Sequence, residues 1–270
     1  MPDANTVKIV TSAANATIKL VRALEDKKHR RETGLYVAEG LRTALTAAEQ
    51  GVWPQTLIFS ADLKDHPKLR DYVGQCLAKG IECIEASRQA MEKIARRDNP
   101  QGVVGIYRIA WSELNDFAAK PNARLIALQM IRDPGNLGTI MRTADAVGAE
   151  GIVLIDECCD PFSIEAVRAS MGSIFAVKLA RARFNDFDAW RRPKGGMLVG
   201  TSLRASEDYR KIDYRGPVFL LMGNEQAGLP AEYEDACDAR IRIPMRGSAD
   251  SLNVAVATAI ALYEINRNTL

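Results

Sequence analysis

The sequence predicts an α/β protein in two parts, a small α/β domain followed by a domain with a mostly parallel sheet. Three observations carry that prediction. Short apolar runs of strand length alternate with helical segments along the whole chain. The small and polar residues of Ala110–Asn122, with Pro121 among them, interrupt this alternation. A chain of 270 residues can bury one large core or two ordinary ones. The boundaries read as 1–110 for the first domain, 111–122 for a linker and 123–270 for the second.

The elements follow from spacing and punctuation. Asn15–Lys28 puts Ile18, Val21 and Leu24 at helical intervals, with Ser12 or Asn15 as N-cap. A short apolar run at Leu35–Ala38 precedes a helix over Leu41–Glu49 that Gly51 ends. Thr56–Phe59 and Ile81–Ile84 read as strands, with a helix over Pro67–Lys79 between them stopped by Gly80. A helix near Arg88–Ala95 and a strand at Val103–Tyr107 close the first domain. The second opens on a strand at Leu125–Met130, the turn Asp133–Asn136 and a helix over Leu137–Val147 closed by Gly148. Gly151–Ile155, Met197–Thr201, Val218–Met222 and the short Ile241–Ile243 are further strands. Ser163–Ala169 and the long Leu252–Asn266 are helices. Strands alternating with helices imply a parallel sheet that binds ligands at the carboxyl ends of its strands.

Composition narrows the function. Hydrophobic residues make up 47% and charged residues 26%, the balance of a folded globular chain rather than a disordered one. No apolar run approaches membrane-spanning length, and MPDANTVKIV lacks the apolar core of a secretory leader, so a cytoplasmic location is expected. Cys76, Cys83, Cys158, Cys159 and Cys237 form no C-x-x-C, and only His29 and His66 supply imidazole. No metal site is expected, and the odd count points to reduced thiols. The net charge of +2 hides a basic run, Lys27, Lys28, His29, Arg30 and Arg31, and a second at Arg96 and Arg97. Such runs suit RNA phosphates; the alternative is a solvated helix face.

Three segments of the second domain could carry chemistry. Arg132–Ala149 places a glycine-containing turn between a strand and a helix; Gly135 and Gly138 permit close backbone approach, and free N–H groups at the helix start attract anions. Arg142 lies one helical turn beyond Gly138. The segment is neither a P-loop nor G-x-G-x-x-G, which counts against a nucleotide-dependent enzyme, and an ordinary βα turn remains open. In Val218–Pro230 an apolar strand runs into Gly223-Asn224-Glu225, placing a carboxylate at a strand end; Glu225 as a helix cap is the alternative. In Ile241–Glu264 a short strand ends at Pro244, and Ser251 can cap a helix rich in alanine, with a well-capped core helix as the alternative.

In order and content these segments closely resemble the SpoU (TrmH) family of RNA 2′-O-ribose methyltransferases, within the SPOUT superfamily. Asn136, Gly138 and Arg142 match its N-x-G-x-x-x-R motif. Gly223, Glu225, Gly228 and Leu229 match G-x-E-x-x-G-L, and Ile243–Met245, Gly247, Ser251–Val254 and Ala257 match the third motif. The first domain more loosely resembles the ribosomal-protein-like substrate-binding domain of many members, on Asn15, Lys19, Arg30, Glu39 and Gly40.

The resemblance implies a deep trefoil knot in the second domain. It also implies S-adenosylmethionine held by backbone groups at Gly223, Ile243 and Leu252, with Thr201 beside them, and a homodimer. Arg142 is expected beside the ribose 2′-hydroxyl, where an aligning cation is easier to justify than a base, because a guanidinium holds its proton. Asn136, Glu225, Ser251 and Asn253 are expected to position Arg142 and the substrate, and Lys27, Lys28, Arg30 and Arg31 to contact RNA. Ribosomal RNA is favoured over transfer RNA, and a non-catalytic RNA-binding protein on the same fold is the other alternative.

Overall fold

The computed structural model describes residues 6–94, 102–117, 120–202, 207–248 and 250–268, so the expected basic pair Arg96 and Arg97 lies outside the described residues. The chain divides into two compact units, one of residues 1–109 and 162–175 and the other of residues 110–161 and 176–270.

The first unit contains β1 (Lys8–Val10), α1 (Ala16–Ala23), α2 (Lys27–Thr33), β2 (Leu35–Glu39), α3 (Leu41–Glu49), β3 (Thr56–Ser60), α4 (Pro67–Ala78), β4 (Glu82–Ala86), α5 (Arg88–Ile94) and β5 (Val103–Arg108). Its five-stranded sheet has the order β1-β4-β3-β5-β2, with β5 antiparallel to both neighbours and the other pairs parallel. Ile18, Val21 and Leu24 bury the apolar stripe of α1 against Ile58, Ile84 and Met91.

The single helix expected to reach Lys28 is two. Asn15 caps the first, its Oδ1 accepting from the N–H of Thr17 at 2.8 Å. The chain then breaks after Leu24, and Asp26 starts α2 by accepting from the N–H of Lys28 at 2.6 Å. Arg30 holds the break together. Its Nη1 donates to the carbonyls of Leu24 and Glu25, both at 2.7 Å, and the residue is only 3% exposed. This corrects one RNA-contact expectation, because a guanidinium committed to two helix-end carbonyls is not available to a phosphate. Lys27, Lys28 and Arg31 are exposed.

The segment 162–175, expected in the second domain, is part of the first unit and carries helix α7 (Ile164–Ser170). Phe162 packs on Tyr36 with ring centroids 5.0 Å apart, and Phe175 on Tyr107 at 4.8 Å. Arg168 pairs with Glu39 at 2.6 Å, where the Glu39 side chain is 6% exposed.

The second unit contains β6 (Arg124–Gln129), α6 (Pro134–Ala146), β7 (Gly151–Ile155), β8 (Leu179–Ala182), α8 (Phe184–Arg191), β9 (Met197–Thr201), β10 (Glu207–Asp208), β11 (Val218–Met222), α9 (Ala231–Asp235), β12 (Ala239–Arg242) and α10 (Val254–Ile265). Its seven-stranded sheet has the order β10-β12-β9-β11-β6-β7-β8, and every pairing is parallel. β6, β7 and β11 are buried along their whole length, β7 and β11 as continuous apolar strands and β6 with Arg124 and Gln129 at its two ends. Leu125, Ala127, Leu198, Phe219 and Leu221 meet Phe187 of α8 on one face.

Because all strands run the same way, their carboxyl ends share one edge of the sheet. From β11 the chain passes through α9 to the far side of β9, where Ile241 pairs with Thr201. That crossing fits the knot the resemblance implies. No helix among the described residues is long and apolar enough to cross a membrane.

Candidate active site at the carboxyl edge of the parallel sheet

Three of the loops at this edge, those after β6, β11 and β12, carry the motif residues. The first begins at Met130, which follows β6 with φ +50°, a left-handed conformation uncommon outside glycine. It leads into α6, whose N-cap is Asp133: one carboxylate oxygen accepts from the N–H of Asn136 at 2.6 Å. The expected turn Asp133–Asn136 is thus the first turn of the helix itself, with Pro134 at a position where its missing N–H costs nothing.

The second loop turns back at once. Asn224 and Gly228 exchange backbone hydrogen bonds at 3.2 and 3.0 Å, and Asn224 Oδ1 accepts from the N–H groups of Gln226 and Ala227, both at 3.0 Å. The Asn224 amide nitrogen donates to the Met130 carbonyl at 2.8 Å, pinning the second loop to the first. Gly223 is obligatory here, since a Cβ would lie 2.4 Å from the Gly228 carbonyl carbon and 2.5 Å from the Leu229 nitrogen.

The third loop ends at Asn253, which caps α10 by accepting from the N–H of Ala255 at 2.9 Å and of Val256 at 3.3 Å. The cap expected at Ser251 therefore falls to Asn253; Ser251 is exposed.

Polar side chains tie the loops into one network. Asn253 Nδ2 donates to Asn136 Oδ1 at 2.9 Å, and Asn136 Nδ2 donates to Glu225 at 3.3 Å. Glu225 also accepts from the N–H groups of Arg132 at 3.3 Å and Asp133 at 3.4 Å, and from Asn224 Nδ2 at 3.3 Å. Its carboxylate thus lies at the positive end of α6, where a negative charge is favoured. All of these residues fall within the segments Arg132–Ala149, Val218–Pro230 and Ile241–Glu264, and Asn224 and Asp133 join the residues that the motifs name. Signals for both were present: each is an Asx residue immediately before a turn or helix start.

A cavity of about 280 Å³ lies between the second and third loops. Thr201, Gly223, Ile243 and Leu252 all line it, as do Glu225 and Ser251. Among the described residues, the backbone groups of Gly223, Ile243 and Leu252 make no hydrogen bond, which leaves them open to a ligand. The wall mixes this polar backbone with Met222, Leu229 and Ile241, suiting a purine-bearing cofactor that presents one apolar face and one hydrogen-bonding edge. S-adenosylmethionine has that character, and the residues present fit it. Arg142 lies on α6 six residues past Asn136, about 9 Å further along the helix at 1.5 Å per residue. It is exposed, and among the described residues its side chain has no ion pair or hydrogen bond. Lys27, Lys28 and Arg31 belong to the other unit.

Two family models match the chain: the SpoU rRNA methylase family over residues 123–263, and an MRM3-like substrate-binding domain over residues 15–105. An S-adenosylmethionine-bound rRNA methyltransferase from Sinorhizobium meliloti, known from its crystal structure, is 48% identical with a TM-score of 0.91, over 98% of this chain and 99% of that one. The 23S rRNA (guanosine(2553)-2′-O)-methyltransferase RlmP of Bacillus subtilis is 29% identical over 96% of this chain and 99% of its own. The 23S rRNA (uridine(2479)-2′-O)-methyltransferase of Streptomyces viridochromogenes is 30% identical over 96% and 92%. Full-length likeness, two matching family models and three motif loops joined beside one cavity lead to the same place: the chain belongs to the SpoU rRNA methylase family.

Proposed function

We propose that this protein transfers a methyl group from S-adenosylmethionine to a ribose 2′-hydroxyl of ribosomal RNA. The observation that carries the reading is the cavity bounded by Thr201, Gly223, Ile243 and Leu252 beside the Glu225–Asn136–Asn253 network. Relatives that match along nearly the whole chain methylate 23S rRNA, which supports ribosomal RNA as the acceptor. The first unit, which carries the match to a substrate-binding domain, is assigned to holding RNA through Lys27, Lys28 and Arg31.

When bound, S-adenosylmethionine supplies a methyl group already activated by its sulfonium. To the ribose 2′-oxygen it would give this methyl and would leave as the neutral thioether, with the hydroxyl proton passing to solvent water. The residues of this chain contribute alignment. Gly223, Ile243 and Leu252 hold the cofactor through main-chain groups, and Thr201 and Ser251 border it. Glu225, Asn136 and Asn253 fix the loops that form the wall. Arg142 orients the RNA phosphate and stabilises negative charge as it develops on the attacking oxygen.

Arg142→Ala is expected to abolish methyl transfer to ribosomal RNA, followed with radiolabelled cofactor, while leaving calorimetric cofactor affinity within about twofold. Wild-type turnover in the variant would overturn the assignment. A homodimer belongs to the same reading. Val256 and Tyr263, on α10 and seven residues apart, are 48% and 52% exposed, an apolar face that a second copy could cover. Sedimentation should show a dimer, and a monomer at working concentration would refute it.

A further inference from the structure

Several arginines of the second unit are held by ion pairs. Arg183, Arg191, Arg192, Arg210 and Arg240 each hold a carboxylate, at distances from 2.5 to 3.5 Å. Around the cavity the pattern reverses. Arg132 stands in the loop after β6, Arg242 on the cavity wall at the end of β12, and Arg246 just beyond Met245 in the third loop. All three are exposed, as is Arg142, and among the described residues none of the four has an ion pair or a side-chain hydrogen bond.

Carboxylates are present at this edge but engaged elsewhere. Glu225 accepts from Arg132 and Asp133 through their backbone N–H, not through the Arg132 guanidinium. Asp133 caps α6. Glu234, on the cavity wall, pairs with none of the four among the described residues. Four exposed guanidinium groups that no carboxylate pairs with among the described residues keep their donors free for phosphate oxygens.

We infer that Arg132, Arg242 and Arg246 form, with Arg142, a phosphate-contacting rim that seats the RNA backbone across the mouth of the cavity. The inference rests on the methyl-transfer reading for its substrate class, but its chemistry is independent of sequence: guanidinium groups bind phosphate oxygens in bidentate fashion whatever the base. Arg132 comes from the first loop, and Arg242 and Arg246 from the end of β12 and the third loop, so the rim would register the acceptor strand only when those two segments are folded together.

The test uses the full chain and a fluorescein-labelled RNA hairpin of arbitrary sequence, with anisotropy followed between about 50 and about 200 mM KCl. The triple variant Arg132→Gln/Arg242→Gln/Arg246→Gln should lower the slope of log affinity against log salt by about 2 to 3, at roughly 0.7–0.9 per lost phosphate contact. Arg183→Gln/Arg192→Gln/Arg240→Gln removes the same charge from paired positions and should leave the slope unchanged. Calorimetry with S-adenosylmethionine on Arg132→Gln/Arg246→Gln reports whether the cavity has kept its shape. An unchanged slope in the rim variant, or an equal fall in the paired variant, overturns the inference. A wild-type protein that binds hairpin with the steep slope yet transfers no methyl to ribosomal RNA would overturn the proposed function and leave the rim standing.

Discussion

Gly223→Ala puts the added methyl against backbone that cannot step aside cheaply. The Cβ would stand 2.4, 2.5 and 2.7 Å from the Gly228 carbonyl carbon, the Leu229 nitrogen and the Gly228 oxygen, about 1 Å inside ordinary contact. The loop it meets is closed by the Asn224–Gly228 bridge and fastened to Met130 through the Asn224 amide, so it must shift as a piece. Overpacking of this kind costs about 1–3 kcal/mol. If the loop relaxes outward in the free protein, the cost reappears when cofactor closes it, and S-adenosylmethionine binding weakens between about fivefold and about 150-fold. If the loop holds, the cost falls on folding and the midpoint of denaturation drops instead. Calorimetry and urea unfolding on the same variant should therefore show losses that sum to that range. Gly228→Ala is the control: its φ of +68° carries strain of roughly 1–2 kcal/mol, but open space surrounds the new methyl. The reasoning fails if Gly223→Ala matches wild type in both cofactor affinity and stability.

Two further outcomes follow from the structure. Arg30→Met should destabilise the protein by about 1–3 kcal/mol in urea titration, because the Leu24 and Glu25 carbonyls lose a buried donor. It should leave hairpin-RNA affinity unchanged, whereas Lys28→Gln/Arg31→Gln should weaken that affinity without loss of stability. Burial pushes the thiols of Cys158, Cys159 and Cys237 up to about 11, about 12 and about 12. Burial disfavours the thiolate, so the folded protein resists ionisation where the unfolded chain, near 8.5, does not. The stability these thiols contribute is present below the unfolded value and is lost as pH rises from there through the folded values. Iodoacetamide labelling read by mass spectrometry should stay slow at all three sites up to about pH 10; a rise at any of them near pH 8.5 would contradict the burial argument.

What the sequence revealed divides along a physical line. Val218–Met222 and Gly151–Ile155 were legible to the residue because a strand buried on both faces is apolar throughout. β1 escaped notice: it is a three-residue edge strand whose Ile9 is 73% exposed, so no pattern marks it. β8 and α8 escaped as well, the first because Leu-Ala-Arg-Ala has neither length nor alternation. The break after Leu24 is held by an arginine reaching back to two carbonyls, an interaction that helical periodicity does not encode. Site residues stood out because their motifs are local. How they combine was not visible, since Asn136 meets Glu225 across 89 positions of sequence and Asn253 across 117. Nor was the membership of 162–175 in the first unit, which depends on Tyr36 and Glu39 far upstream.

That long-range geometry also decides what Glu225 does. A carboxylate at a strand end beside a nucleophile invites a role in removing the proton, yet every group within hydrogen-bond distance of it here is a donor: two backbone N–H groups and the amides of Asn136 and Asn224. A proton acceptor needs a free lone pair aimed at substrate, whereas this carboxylate spends its oxygens joining the first loop to the second. Glu225→Gln separates the two roles, because it keeps the shape while replacing one acceptor oxygen with an NH₂ that faces donors. If Glu225 only takes the proton, the variant should fold, bind S-adenosylmethionine normally and lose turnover. If it fastens the loops, the variant should lose about 1–3 kcal/mol of stability from the mismatched donors and bind cofactor more weakly, with turnover falling as a consequence. The second result is expected. Intact cofactor affinity and stability in an inactive Glu225→Gln protein would return the residue to the chemistry of the proton.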